Sequence, residues 1–189
     1  GGVALEYAAA HAARVRSLTI MDTKVNAWQP RQMLADMPYL SPFEIAVAER
    51  SGIDWSQEEQ IGLRFLEVVA RLKAANETLP TRDAVTPFGE GRGAARTARA
   101  WIDLIDLPGV REQLLMPGVD AAQLAQRLRD TPLLLIYGER SRCMPSCRSG
   151  SALLPQAAIE TVPEGGHFFP LSHAATVRPS LERFLDSVS

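Results

Sequence analysis

The sequence predicts an α/β fold whose mostly parallel sheet is interrupted by an inserted all-helical segment. Short apolar runs rich in β-branched residues stand beside helical patterns at both ends of the chain, over 1–27 and 131–189. Residues 28–130, between them, carry helical periodicity punctuated by Pro and Gly and offer no strong strand. The bulk numbers suit such a chain: 189 residues, 46% hydrophobic and 22% charged, near the average for globular domains.

Taken in order, Gly2 to Arg14 is dominated by Ala and predicts a helix, with Val3, Tyr7 and Ala10 on the face that approaches the sheet. Val15 to Met21 follows as a strand buried on both faces, ending at Asp22. A helix running straight into such a strand is half of a parallel crossover, and the strand expected before it is not in these residues. In the insertion, Ser56 to Glu59 reads as a capping box opening a helix with Ile61, Phe65, Val68, Val69 and Leu72 on one face. Ala94 to Leu107 gives a second helix, with Ala98, Trp101, Ile102 and Ile105 on its apolar side, and Asp120 to Leu128 a third. The glycine-rich stretch from Thr86 to Gly93 lacks the Gly-Lys-Ser/Thr ending of a phosphate-binding loop and reads as a connector. Thr131 to Tyr137 is an apolar run suited to an interior parallel strand, and Ala158 to Val162 is another. Ser151 to Leu154 is a short helical piece, and His173 to Val188 a closing helix with Val177, Leu181, Phe184 and Leu185 inward.

Several function classes fall away. With 20 Lys+Arg against 22 Asp+Glu and a formal charge of −2, no electrostatic feature invites nucleic acid or a membrane surface. No apolar run reaches the roughly 18 residues of a membrane-spanning helix. Cys143 and Cys147 are too few for a disulfide scaffold and suit reduced thiols in a cytoplasmic protein. Neither they nor His11, His167 and His173 show paired metal-ligand spacing, and no Gly-x-Gly-x-x-Gly follows a strand, so no metal and no cofactor is expected.

The sharpest local signal is Pro163-Glu-Gly-Gly-His167-Phe-Phe-Pro170. It sets a histidine on a glycine turn past a strand's carboxyl end, where open α/β sheets place their ligand sites.

At this point the chain resembles the C-terminal two-thirds of the α/β-hydrolase fold. Gly1-Gly2 and the helix after them resemble the end of the nucleophile elbow Gly-x-Ser-x-Gly-Gly, and Leu133 to Glu139 resembles the penultimate strand and its acid-bearing turn. Val162 to Pro170 is similar to the catalytic-histidine turn, with His167 as the histidine, and 28–130 lies where that family carries a helical cap. The resemblance implies a Ser–His–acid mechanism on an ester, thioester or lactone of a moderately apolar substrate. Acyl transfer, a non-catalytic ligand- or partner-binding role, and a serine-free lyase or dioxygenase chemistry are the alternatives it leaves open. No Gly-x-Ser-x-Gly occurs in the 189 residues, so the nucleophile is expected just before Gly1. The rest of the sheet, roughly 80 to 110 residues, is then expected on another segment or chain. The family usually has Asp where Ser141 stands. Two carboxylates can replace it: Asp22, at the end of the first strand and preferred, and Glu139, two residues before Ser141. Trp28, Phe43, Trp55, Phe88 and Trp101 are read first as core, and only together as a lining for an acyl chain.

Overall fold

In the computed structural model, residues 1–29, 33, 40–58, 61–80, 87–116 and 118–188 are described. The chain divides into a sheet-bearing unit, Gly1–Pro30 with Pro117–Ser189, and a helical unit, Arg31–Met116. The boundaries drawn at 28 and 130 therefore move, because Trp28 and a helix over Ala121–Leu128 (α6) pack in the core of the sheet-bearing unit.

Three parallel strands, β1 (Leu18–Met21), β2 (Leu133–Gly138) and β3 (Ala158–Val162), form the sheet in the order β1-β2-β3. Ile20 stands opposite Leu135, and Leu135 opposite Ile159, so the three carboxyl ends finish side by side. β2 is central and buried throughout, and its alternate residues explain its unbroken apolar sequence. Leu133, Leu135 and Tyr137 face a cluster with Ile20, Leu124, Leu128 and Leu154, while Leu134 and Ile136 face Val162, Phe169 and Val177.

The first helix, α1 (Gly2–Ala10), is shorter than expected, and a separate 3-10 turn follows over Ala12–Arg14. Its buried face is Leu5, Ala8 and Ala9, whereas Val3 and Tyr7 are exposed. Two adjacent alanines allow a closer approach to the core than Tyr7 would. α7 (Met144–Leu153) begins seven residues before the predicted Ser151. Its buried side, Met144, Ser146, Cys147 and Gly150, is too small and polar to show a helical stripe. Gly150 is needed there because a Cβ would sit 2.6 Å from the ring of Trp28. The closing helix is preceded by a single turn, α8 (Phe169–Ser172), and runs as α9 (Ala174–Ser187), with Val177, Leu181 and Phe184 on the core and Leu185 exposed.

The helical unit holds α2 (Pro42–Ser51), α3 (Ile61–Ala74), α4 (Arg92–Ile105) and α5 (Val110–Leu115). A capping box does occur, but at Ser41 and Glu44, where the Ser41 N–H donates to the Glu44 carboxylate at 2.9 Å. Of the box expected at Ser56, Glu59 lies outside the described residues, and Ser56 sits in a 3-10 turn capped by Asp54. Phe43, Val47, Trp55, Phe65, Val68 and Val69 form the core, and Phe88 packs edge-on against Trp101. Among the described residues, Phe43, Trp55 and Phe65 thus fill this unit's own interior, with Phe88 packed against it, and Trp28 belongs to the other unit. Within the glycine-rich stretch, Phe88, Gly89 and Gly91 all have positive φ, while Thr86 lies outside the described residues. Among the described residues, no helix is long and apolar enough to cross a membrane.

One buried ionic cluster fixes the helical unit. The Glu67 carboxylate accepts from Arg111 at 2.8 Å, Arg71 at 2.8 Å and Arg64 at 3.1 Å, and Asp106 also takes Arg111. Hydrogen bonding from Arg111, helped by Arg71 and Arg64, outweighs burial and holds Glu67 at about 2, below its ordinary 4.5. A depressed carboxylate stabilises the fold fully above its unfolded value and loses that contribution as pH falls toward its folded value. Glu67→Gln is expected to destabilise this unit by about 2 kcal/mol at neutral pH, the half-exposed arginines keeping the loss below that of a fully buried pair. Urea unfolding midpoints of variant and wild type should converge as pH falls from about 4.5 to about 2.

A second constraint lies at the end of β2. A Cβ on Gly138 would lie 2.3 Å from the Gly165 carbonyl oxygen, which belongs to the turn after β3. That obstacle is backbone and cannot swing aside. Gly138→Ala should therefore cost about 2–3 kcal/mol in thermal unfolding, even though no polar group is lost.

Candidate active site

The end of β1 positions Asp22. Asp22 continues the parallel ladder by donating its N–H to the Ile136 carbonyl at 2.9 Å, then turns out of the strand with φ +45°. Asp tolerates this left-handed conformation better than most side chains. Its carboxylate is buried, with 2% of the residue exposed, and is surrounded by donors. Oδ1 accepts the Gly138 N–H at 3.0 Å, and Oδ2 accepts the Ser141 hydroxyl and bonds His167 Nδ1 at 2.7 Å.

The turn after β3 positions His167. The Gly165 N–H closes on the Val162 carbonyl at 3.1 Å across Pro163 and Glu164, with Glu164 at φ +57°. Two backbone bonds then lock this turn to the one after β2: Glu139 N–H to Val162 O at 3.0 Å, and Arg140 N–H to Gly165 O at 2.9 Å. The close approach that Gly138 permits is what brings His167 over Asp22. An ionised carboxylate has no hydrogen to give, so the one in this bond sits on Nδ1, which leaves Nε2 the free nitrogen of the ring. The imidazole is 42% exposed, so one edge faces the buried acid while the ring stays accessible.

The two candidate acids thus part company. Asp22 meets His167, whereas Glu139 accepts the backbone N–H of Glu164 at 2.9 Å and braces the turn from its exposed side. His11 ends α1 and stacks near Tyr7, and His173 precedes α9, both away from this pair.

Two participants escape sequence reasoning. Ser141, noted only as a departure from the family pattern, is buried and bonded to the acid. Cys143 places its sulfur 3.8 Å from His167 Nδ1. Burial, reinforced by the Asp22 charge, pushes that thiol up to about 12, so it is protonated and a poor nucleophile. Burial likewise pulls the Lys24 ammonium downward, two residues past the acid.

Asp22, Cys143 and His167 also form, among the described residues, a group whose potential metal-binding atoms lie within 4.8 Å of one another. Within this group the Asp22 carboxylate and the His167 imidazole bond each other at 2.7 Å.

The start of α1 lies beside this pair. A Cβ on Gly1 would fall 2.0 Å from Thr23 Oγ1, so Gly1 presses directly on the residue after the acid. The hydroxyl of Tyr137 in turn donates to the Thr23 carbonyl at 2.8 Å and pins that segment.

No protein-family model matches the sequence. Over its whole length the chain is 30% identical to a pimeloyl-[acyl-carrier protein] methyl ester esterase of Xanthomonas oryzae pv. oryzae (strain MAFF 311018), of which it covers 68%. It is 29% identical, with the same coverage, to the protein of that name in Xanthomonas axonopodis pv. citri (strain 306). Among solved structures it resembles a bacterial membrane phospholipase A, with a TM-score of 0.56 at 19% identity over 99% of this chain. It also resembles a carboxylesterase structure from the thaumarchaeon Nitrososphaera gargenis, with a TM-score of 0.53 at 13% identity over 98% of this chain. The chain spans 54% and 61% of those two structures, which support the fold alone. With the parallel sheet in place and that level of identity to the Xanthomonas esterases, the chain belongs to the α/β-hydrolase superfamily, among its esterase-type members.

Proposed function

We propose that this chain carries the acid and the base of a serine-type hydrolase that cleaves an ester, thioester or lactone bond of a moderately apolar substrate. The observation that carries the reading is the 2.7 Å bond between His167 Nδ1 and the buried Asp22, made by a ring that stays partly exposed.

The chemistry follows from that bond. Nε2 takes the proton of the attacking serine hydroxyl as its oxygen adds to the substrate carbonyl. The imidazolium so formed is stabilised by the Asp22 charge, then returns the proton to the departing alcohol or thiol. Water repeats the two steps on the acyl-enzyme and releases the acid. The nucleophile is the serine of the Gly-x-Ser-x-Gly-Gly pattern whose last two residues Gly1 and Gly2 match. The position of Gly1 against Thr23 supports this, since it sets the start of α1 next to the acid.

The main ground for a non-catalytic role was Ser141 in place of the family's acid, and Asp22 answers it by reaching the same imidazole. The Xanthomonas relatives are named for a methyl ester on a pimeloyl-acyl-carrier protein, which makes the methyl ester of a carrier-borne acyl chain the first natural substrate to try.

Measured in protein that includes the nucleophilic serine, with a p-nitrophenyl acyl ester as reporter, His167→Ala and Asp22→Asn should each lower kcat by about a thousandfold or more. Glu139→Gln should stay within about threefold of wild type, because its carboxylate serves the turn and not the ring. Hydrolysis undiminished in His167→Ala would end the reading.

A further inference from the structure

Asp22, Cys143 and His167 share no local spacing, yet the end of β1, the start of α7 and the turn after β3 bring them together. We propose that they form a binding site for a thiophilic divalent cation of the zinc class, and that an ion there takes His167 out of its catalytic tautomer. Binding stands on the geometry alone, while its effect on turnover rests on the catalytic reading of His167 given above.

Three features carry it. A carboxylate oxygen, a sulfur and a ring nitrogen lie within 4.8 Å of one another, and that donor set suits zinc. Tetrahedral zinc holds nitrogen about 3.5 Å from sulfur and about 3.3 Å from oxygen. His167 Nδ1 stands 3.8 Å from Cys143 Sγ and 2.7 Å from Asp22 Oδ2, so shifts of about 0.3 to 0.6 Å open the site. Next, the ligands are held from behind. Ser141 Oγ donates to Asp22 Oδ2 and accepts the Cys143 N–H at 3.0 Å, and the Gly138 N–H holds Oδ1 at 3.0 Å. Finally, a divalent charge between the Asp22 carboxylate and a Cys143 thiolate leaves the buried group neutral. Burial and the Asp22 charge, which now keep the thiol protonated, are both offset by the ion. Lys24 and Arg142 also act on Cys143, favouring the thiolate but repelling a cation, so a metal with a strong sulfur bond is needed and magnesium does not suffice. The imidazole, 42% exposed, gives the ion its way in and water a fourth position.

The consequence for His167 follows from where the protons go. The thiol releases its proton to solvent as the metal–sulfur bond forms. The hydrogen on Nδ1 moves to Nε2, so Nδ1 gives its lone pair to the ion and the ring stays neutral. Asp22 exchanges its bond to Nδ1 for one to the metal. Nε2 then carries a hydrogen and cannot take the proton of a serine hydroxyl.

The test uses the whole protein, nucleophilic serine included, with cobalt(II) as a spectroscopic stand-in for zinc. Cobalt should give a thiolate-to-metal charge-transfer band in the near ultraviolet, kept in Cys147→Ser and lost in Cys143→Ser. With a p-nitrophenyl acyl ester, a molar excess of zinc should lower kcat/KM at least about tenfold, and EDTA should restore it. Magnesium should change it by less than about twofold. Each variant is compared with itself free of metal, and Cys143→Ser should lose most of the zinc effect.

The inference is overturned if the wild type gives no such band, or if the band survives in Cys143→Ser. It is equally overturned if zinc leaves the wild type fully active, or inhibits Cys143→Ser as strongly as the wild type. If Cys143→Ser does not fold, as judged by circular dichroism, Asp22→Asn decides, and must bind cobalt at least about tenfold more weakly. A protein that shows the band yet hydrolyses no ester keeps the site and loses the catalytic reading instead.

Discussion

Burying the Asp22 carboxylate leaves oxygen lone pairs that must find donors away from water, and the ends of the two other strands, β2 and β3, supply them. Gly138 closes β2, Ser141 lies on the turn that follows it, and His167 lies on the turn after β3. An unpaired buried carboxylate would cost several kcal/mol, so this convergence stabilises the acid and aligns the strand ends in one arrangement. The Asp22–His167 bond and the packing of the sheet's carboxyl edge belong to the same set of bonds. That explains why Gly138, where an added Cβ would strike the Gly165 backbone, lies at this edge.

Much of the fold was legible because its signals are local. The unbroken apolar run of β2 follows from burial on both faces, and the glycine turn before His167 from close packing, a Cβ on Gly165 falling 3.0 Å from the Val162 carbonyl oxygen. What escaped the sequence depends on partners far along the chain. The buried face of α7 includes Ser146, which bonds Val25 and Gln29, and Gly150, which makes room for Trp28, and so leaves no apolar stripe. In α1 the nearly uniform alanine content left the direction of the buried face undetermined, and only packing selected Leu5, Ala8 and Ala9 over Val3 and Tyr7.

The site divides the same way. His167 was readable from its turn, but the rivalry between Asp22 and Glu139 was not, because each sits at a strand end and neither spacing nor composition reveals where it points. The parallel register positions it: with Met21 opposite Ile136, Asp22 comes level with Tyr137, and its carboxylate accepts the next N–H along, that of Gly138, and bonds the imidazole. Glu139, one residue past β2, points to the neighbouring turn and caps the Glu164 N–H. Ser141 was visible only as a missing acid. Its role as a donor to the acid that replaced it needed the distance between two segments more than a hundred residues apart in sequence.

Everything functional in this account depends on Asp22 being the carboxylate that holds the Nδ1 proton of His167. Proton NMR reads that hydrogen directly, as a strongly downfield imidazole resonance from a shielded, charge-assisted bond. The account predicts that the resonance is present in the wild type and in Glu139→Gln and absent in Asp22→Asn. Its survival in Asp22→Asn, with loss in Glu139→Gln, would contradict the assignment of the acid.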